Sequence, residues 1–180
     1  LIAKEAIKEG FNVVSIPGVS ALLAALVVSG LALQPFTFIG FLPRKESEKK
    51  AALEIYKYRK ETIIIYEAPT RINNTLKTIY DILGNREIAL AREMTKKYET
   101  IYRGYLSAFI DAEIVLKGEF VIIIEGNISD DAFKDLSIIN HITLYLRQGY
   151  DEKEAMKLVA KDLNISKSEV YKEYKIRRKS

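Results

Sequence analysis

Residues 62–72 read TIIIYEAPTRI. Ile63 to Ile65 are β-branched and unbroken by any polar residue, which suits a strand covered on both faces. The strand ends in Tyr66 and runs at once into Glu67, Pro69 and Arg71. Loops after strands are ordinarily built from Gly, Asn, Asp or Ser. Charge at the exit of a buried strand has two readings. It is a structural Glu–Arg bridge, or it is the rim of a cleft where the charge does chemistry.

The same arrangement recurs downstream. EIALAR (87–92) is a second apolar strand, and Arg92, Glu93 and Lys96 follow it in LAREMTKKYE. GEFVIIIEG (118–126) is a third. Ligands of open α/β sheets bind at the carboxyl ends of strands, so Glu67, Arg71, Arg92, Glu93 and Lys96 are expected to converge on one cleft. Paired structural bridges would use the same residues, since buried carboxylates need partners.

Around these strands the pattern alternates. LIAKEAIKEGF is a helix stopped by Gly10, NVVSI (12–16) a short strand, and VSALLAALVVSG a small-residue helix. FTFIGF is an aromatic strand, and LPRKESEKKAALEIYKYRKE a basic loop that becomes a charged helix. TRINNTLKTIYDILG is a helix closed by Gly84, ETIYRG a strand and YLSAFIDAE a helix. Strands alternating with helices over residues 1–126 predict an α/β sheet with both faces covered. From about Asp130 only helical segments follow, with Asp151 and Ser166 as N-caps. Residues 130–180 read as a helix-turn-helix-like module or, equally, as a plain three-helix appendage.

Composition narrows the class. A chain of 180 residues with 48% hydrophobic and 29% charged residues can bury a core and is not a disordered chain. Its longest apolar stretch, ALLAALVVSGLAL, is too short to span a bilayer, and no secretory leader is read ahead of it. The absence of cysteine excludes disulfides, thiolate metal sites and cysteine nucleophiles, and it fits a cytoplasmic location. A net charge of +4 permits a polyanionic partner without requiring one. The single histidine, His141, reads as a helix-surface or half-buried imidazole rather than a catalytic one.

Two further stretches carry candidate sites. In IPGVSALLAALVVSGL (16–31), Pro17-Gly18 forces a turn, and the free amides at the start of the following helix could meet a carboxylate or phosphate. Its small residues also suit a tightly packed helix. In GFLPRKESEKK (40–50), Arg44, Lys45, Lys49 and Lys50 form either a solvated helix face or a phosphate-binding loop beside a cleft.

Five blocks in order, IPGVSALLAALVVSGL, FIGFLPRK, IIIYEAPTRI, LAREMTKKYET and LKGEFVIIIEG, resemble the tetrapyrrole methylase superfamily. Within it they are most similar to the branch of small-subunit ribosomal RNA (cytidine-2′-O-)methyltransferases. The resemblance runs from Leu1 to Gly126. It implies the carboxy-terminal α/β domain of a two-domain, class III (tetrapyrrole-methylase-like) methyltransferase followed by a helical tail, with the family's amino-terminal domain expected ahead of Leu1. It implies S-adenosylmethionine as cofactor, small-subunit ribosomal RNA as substrate and a homodimer, with no metal and no membrane.

By position, the resemblance assigns Gly18, Val19, Ser20, Ala21, Tyr66, Gly118, Glu119 and Phe120 to the cofactor. It assigns Arg44, Lys45, Arg71 and Arg92 to the RNA. Glu67, Glu93 or Lys96 would take the proton of the ribose hydroxyl, Lys96 only if burial lowers its pKa. The alternatives are a corrin or porphyrin methylase, and a non-catalytic protein that binds nucleic acid through the helical tail.

Overall fold

The computed structural model describes residues 2–110, 112, 117–129, 133 and 136–177. Five strands form one mixed sheet: β1 (Phe36–Phe41), β2 (Thr62–Glu67), β3 (Glu87–Arg92), β4 (Thr100–Tyr105) and β5 (Phe120–Ile124). Their spatial order is β1-β2-β5-β3-β4. β1 and β2 run parallel, whereas β5 is antiparallel to both β2 and β3. β2 and β3 therefore point the same way, and the start of β5 lies between their carboxyl ends. The register fixes this: Phe120 is the partner of Glu67 on one side and of Arg92 on the other.

Side-chain alternation divides the sheet into two faces. Ile63, Ile65, Ile88, Leu90, Phe120, Ile122 and Ile124 bury one of them. Against it lie Leu53 of α3 (Glu46–Glu54), Phe109 of α5 (Ser107–Ile110), and Ile72, Leu76, Ile79 and Leu83 of α4 (Ile72–Leu83). The α4 spacing of four, three and four residues is the apolar stripe of an amphipathic helix. On the other face, Ile64, Ala89, Ala91, Val121 and Ile123 meet Ala25 and Leu26 of α2 (Ala21–Val27). The small residues of α2 let it seat closely on β5.

Beyond these lie α1 (Ile2–Lys8) and the helices α6 (Ile138–Arg147), α7 (Glu152–Asp162) and α8 (Lys167–Arg177). The last three share a separate core of Ile142, Ala155, Val159, Ala160 and Val170. Asp151 caps α7 by accepting from the Glu154 amide at 2.8 Å. Ser166 and Glu169 form a reciprocal capping box at α8.

Three expectations change. NVVSI is not a strand: residues 12–16 are irregular and exposed. Its β-branched residues have strand propensity, but among the described residues no neighbouring strand accepts its hydrogen bonds. His141 is fully buried rather than on the surface. Its Nε2 lies 3.0 Å from Asp162 Oδ2, and its ring stacks on Phe133 at 4.1 Å. Lys49 does not belong to a solvated basic face. It is buried against α4, bonded to Glu46 Oε2 at 3.0 Å and to Asn74 Oδ1. Of the YLSAFIDAE helix, Ser107–Ile110 is helical, while residues 111 and 113 lie outside the described residues, as do 130–132 of the tail.

Candidate functional site

At the carboxyl ends of β2 and β3 the chain forms an apolar cleft of about 510 Å³. Ala21, Phe41, Tyr66, Ala68, Pro69, Phe120 and Val121 wall it, with Glu67 and Glu119 at its polar margin. Tyr66 is held by two aromatic edges, Phe38 at 4.8 Å and Phe41 at 5.7 Å between ring centres. Its hydroxyl accepts a hydrogen bond from the Leu22 amide at 3.1 Å, tying the first turn of α2 to the end of β2.

The exit of β2 is built around Glu67, whose side chain is completely buried. Oε1 accepts from the Ala68 amide at 2.8 Å and lies 3.2 Å from Arg71 Nε, while Oε2 accepts from Thr75 Oγ1 at 2.6 Å. Arg71 Nη2 in turn donates to the carbonyls of Leu42 and Pro43 at 3.0 and 3.1 Å. One carboxylate thus fixes the turn after β2 and, through Arg71, the loop after β1. That loop opens a second cavity of about 530 Å³ beside the first, lined by Phe41, Leu42, Pro43, Arg44, Thr70 and Arg71. Lys45 stands beside it at the start of α3, exposed and 3.6 Å from Glu48.

At the exit of β3, Glu93 has a positive φ of 52° and turns its carboxylate back over the sheet edge. Its Oε1 accepts from Lys96 Nζ at 2.9 Å and from the Glu119 amide at 3.0 Å. Those two bonds, that of Lys96 first, hold the Glu93 carboxyl below the usual range. Lys96 also reaches Glu119 Oε2 at 3.2 Å. Hydrogen bonding to Glu93 and then to Glu119 raises the Lys96 pKa, the opposite of the lowering that a lysine base needs. Arg92 Nε donates to the Lys117 carbonyl at 2.7 Å. Gly118 is dictated by this cluster: its φ is +81°, and a Cβ there would stand 2.3 Å from Glu93 Cγ.

The residues singled out from the sequence therefore fall into neighbouring groups. Ala21, Tyr66, Glu119 and Phe120 share the apolar cleft, whereas Gly18, Val19 and Ser20 line an open groove along α2 with Met94 and Glu99. Arg44 and Arg71 share the second cavity, and Arg92, Glu93 and Lys96 lie at the β3 rim. Sequence reasoning missed Phe41, Ala68 and Pro69 as walls of the cleft. The available signal was an aromatic residue directly ahead of Leu42-Pro43.

An apolar cleft at a sheet edge, rimmed by fixed carboxylates and cations, defines the class of open-sheet α/β ligand-binding domains. The family model of tetrapyrrole (corrin/porphyrin) methylases matches residues 1–110. The chain belongs to that family. It is 44% identical, over 98% of its length, to the ribosomal RNA small subunit methyltransferase I of Bacillus subtilis and 42% identical, over 94%, to that of Halalkalibacterium halodurans. It spans 63% and 61% of those two proteins. Among solved structures it resembles the methyltransferase CobJ with a TM-score of 0.52 and 21% identity, covering 70% of this chain and 56% of that one. That likeness supports the fold. The resemblance read from the five sequence blocks is borne out.

No helix among the described residues is long and apolar enough to cross a membrane. Among the same residues no group of three or more His, Cys, Asp or Glu side chains could hold a metal ion.

Proposed function

We propose that this chain is the carboxy-terminal part of a cytoplasmic, homodimeric methyltransferase that acts on the 2′-hydroxyl of a cytidine in small-subunit ribosomal RNA. The observation that carries the reading is the juxtaposition of an apolar cleft with a separate cavity containing Arg44 and Arg71. The relatives' names support the choice of substrate. The exposed apolar side chains Leu23 and Val27 of α2, and Val28 just after it, support an assembled form.

The cleft fits S-adenosylmethionine by its chemistry. Ala21, Pro69 and Val121 offer flat apolar walls for an adenine, and the rings of Phe41 and Tyr66 suit a sulfonium cation. Bound there, the cofactor supplies a methyl group on an already activated leaving group. Gly18, Val19 and Ser20 lead up to that cleft from the groove along α2, ahead of Ala21, and Gly118 contributes by admitting the Glu93 side chain.

The protein's own task is alignment and proton removal. Orientation of reacting groups in a preformed site supplies about 7–11 kcal/mol. Arg44, Lys45 and Arg92 meet RNA phosphates, while Arg71 holds the loop that carries Arg44. Of the three proton acceptors considered, Glu67 has both oxygens engaged, and Lys96 is held protonated. Glu93 receives the role because it is ionised and keeps some exposure, although the bonds from Lys96 and the Glu119 amide that lower its pKa also weaken it as a base.

The test uses the intact protein that contains this chain, labelled S-adenosylmethionine and small ribosomal subunits lacking the modification. Label on a cytidine ribose is the expected result. Label on a base, on no RNA, or on an added tetrapyrrole overturns the assignment.

A further inference from the structure

β1 carries three exposed phenylalanines: Phe36 at 38%, Phe38 at 44% and Phe41 at 67% exposure. Strict alternation would put Phe41 on the opposite face from Phe36 and Phe38. A register shift between Phe38 and Gly40, with Gly40 at φ 80°, inserts one extra residue and returns Phe41 to their side. Pairing shows the result, since Phe38 lies beside Ile64 and Phe41 beside Tyr66, both on the face that α2 covers. α2 itself seats on β5. Among the described residues the aromatic stripe is left open to solvent.

Three phenylalanines of the edge strand β1, kept on one side by the bulge, thus run beside Tyr66 of the neighbouring β2, whose ring meets those of Phe38 and Phe41. Alternate strand positions are about 6.5–7 Å apart, a spacing that an extended nucleotide backbone can follow. The strip leads into the loop that ends at Arg44 and Lys45, with Lys50 farther on in α3. Flat apolar faces beside exposed cations suit a chain of bases linked by phosphates. A purely apolar partner would leave Arg44 without complementary charge and Lys45 with Glu48 alone, at 3.6 Å.

We propose that Phe36, Phe38 and Phe41 form a stacking platform for unpaired RNA bases next to the target nucleotide, with Arg44 and Lys45 on the connecting phosphates. This rests on the reading of RNA as substrate and adds where the strand enters. Phe41 is shared with the apolar cleft, so the platform delivers the strand to the site of transfer.

Phe36→Leu and Phe38→Leu test it in the intact protein, because leucine keeps the apolar contact and removes the ring. The probe is a short unstructured RNA carrying 2-aminopurine, whose fluorescence falls on stacking. Each variant is expected to weaken RNA binding by about 5- to 100-fold and to restore fluorescence, with S-adenosylhomocysteine affinity unchanged in Phe36→Leu, the control for Phe38→Leu, whose ring also packs on Tyr66. Wild-type RNA affinity and quenching in both variants overturn the platform. So does a shift to monomer, or a fall in unfolding temperature with RNA affinity kept, since the stripe is then covered by a second copy or by another part of the protein. If quenching depends on the stripe but no ribose is methylated, the platform stands and the methylation reading falls. If a ribose is methylated and quenching ignores the stripe, the platform alone falls.

Discussion

Glu67 and Arg71 stand 3.2 Å apart, one turn of chain from each other, with the carboxylate fully buried and the guanidinium one quarter exposed. The pair joins two loops rather than two side chains, because Arg71 passes the restraint on to the Leu42 and Pro43 carbonyls. Glu67→Gln keeps the shape and removes the charge. Breaking one partner of a buried pair costs about 3–5 kcal/mol, and the partial exposure of Arg71 places this substitution at about 2–3 kcal/mol. Chemical unfolding measures it, and faster hydrogen exchange in residues 42–44 locates it. On the proposal that Glu93 accepts the proton, the folded variant is expected to lose RNA affinity more than turnover. A variant with normal stability and abolished turnover would instead return the acceptor role to Glu67.

The Tyr66 hydroxyl is the acceptor for the Leu22 amide in the first turn of α2. Tyr66→Phe removes that acceptor while keeping the ring between Phe38 and Phe41. The expected cost is about 1 kcal/mol of stability, together with weaker S-adenosylhomocysteine binding, since Ala21 and Tyr66 wall the same cleft. Calorimetric titration of wild type and variant gives the comparison. Equal affinities would detach α2 from the cofactor site.

Much of this arrangement was legible in the sequence, for a physical reason. The isoleucine runs 63–65 and 122–124 lie in strands buried on both faces, where every position is apolar and no periodicity competes. Their pairing was not legible. Nothing in GEFVIIIEG says that β5 inserts antiparallel between β2 and β3, because apolar runs specify burial but not neighbours. Local reading also failed where a distant partner decides. Lys49 resembles its neighbours Lys45 and Lys50 until Asn74, 25 residues away, draws it inward. Val13 and Val14 favour a strand by propensity, yet extended backbone needs a partner to become one. At the site, charged residues announced themselves, and the walls Ala68 and Pro69 did not.

Gly118 sits where the Glu93 side chain crosses the backbone, at a φ of +81°. Gly118→Ala combines a strained conformation with a contact of 2.3 Å to Glu93 Cγ. Substitution at such a φ destabilises by more than about 1 kcal/mol even without a clash. The Glu93 carboxylate is expected to swing outward, breaking its bonds to the Glu119 amide and to Lys96. Methyl transfer should therefore fall further than cofactor affinity, and single-turnover rates with saturating cofactor separate the two.

The helical tail carries its own pH dependence through Asp162. Burial pushes this carboxyl up, but hydrogen bonds from His141 and then Tyr145 outweigh it and leave the pKa below the usual 3.8. A carboxylate with a depressed pKa in the folded state contributes stability that is fully present above its unfolded value. That contribution is lost as the pH falls from 3.8 through the lower folded value. Asp162→Asn is expected to cost about 1–3 kcal/mol at neutral pH, because it weakens charge-assisted bonds to the buried His141 ring and the half-buried Tyr145 hydroxyl. The gap between wild type and variant should then close as the solution is acidified below 3.8. Thermal unfolding followed across that range measures both curves. A gap that stays constant in acid would mean that the substitution acts through packing around His141 rather than through the charge on Asp162.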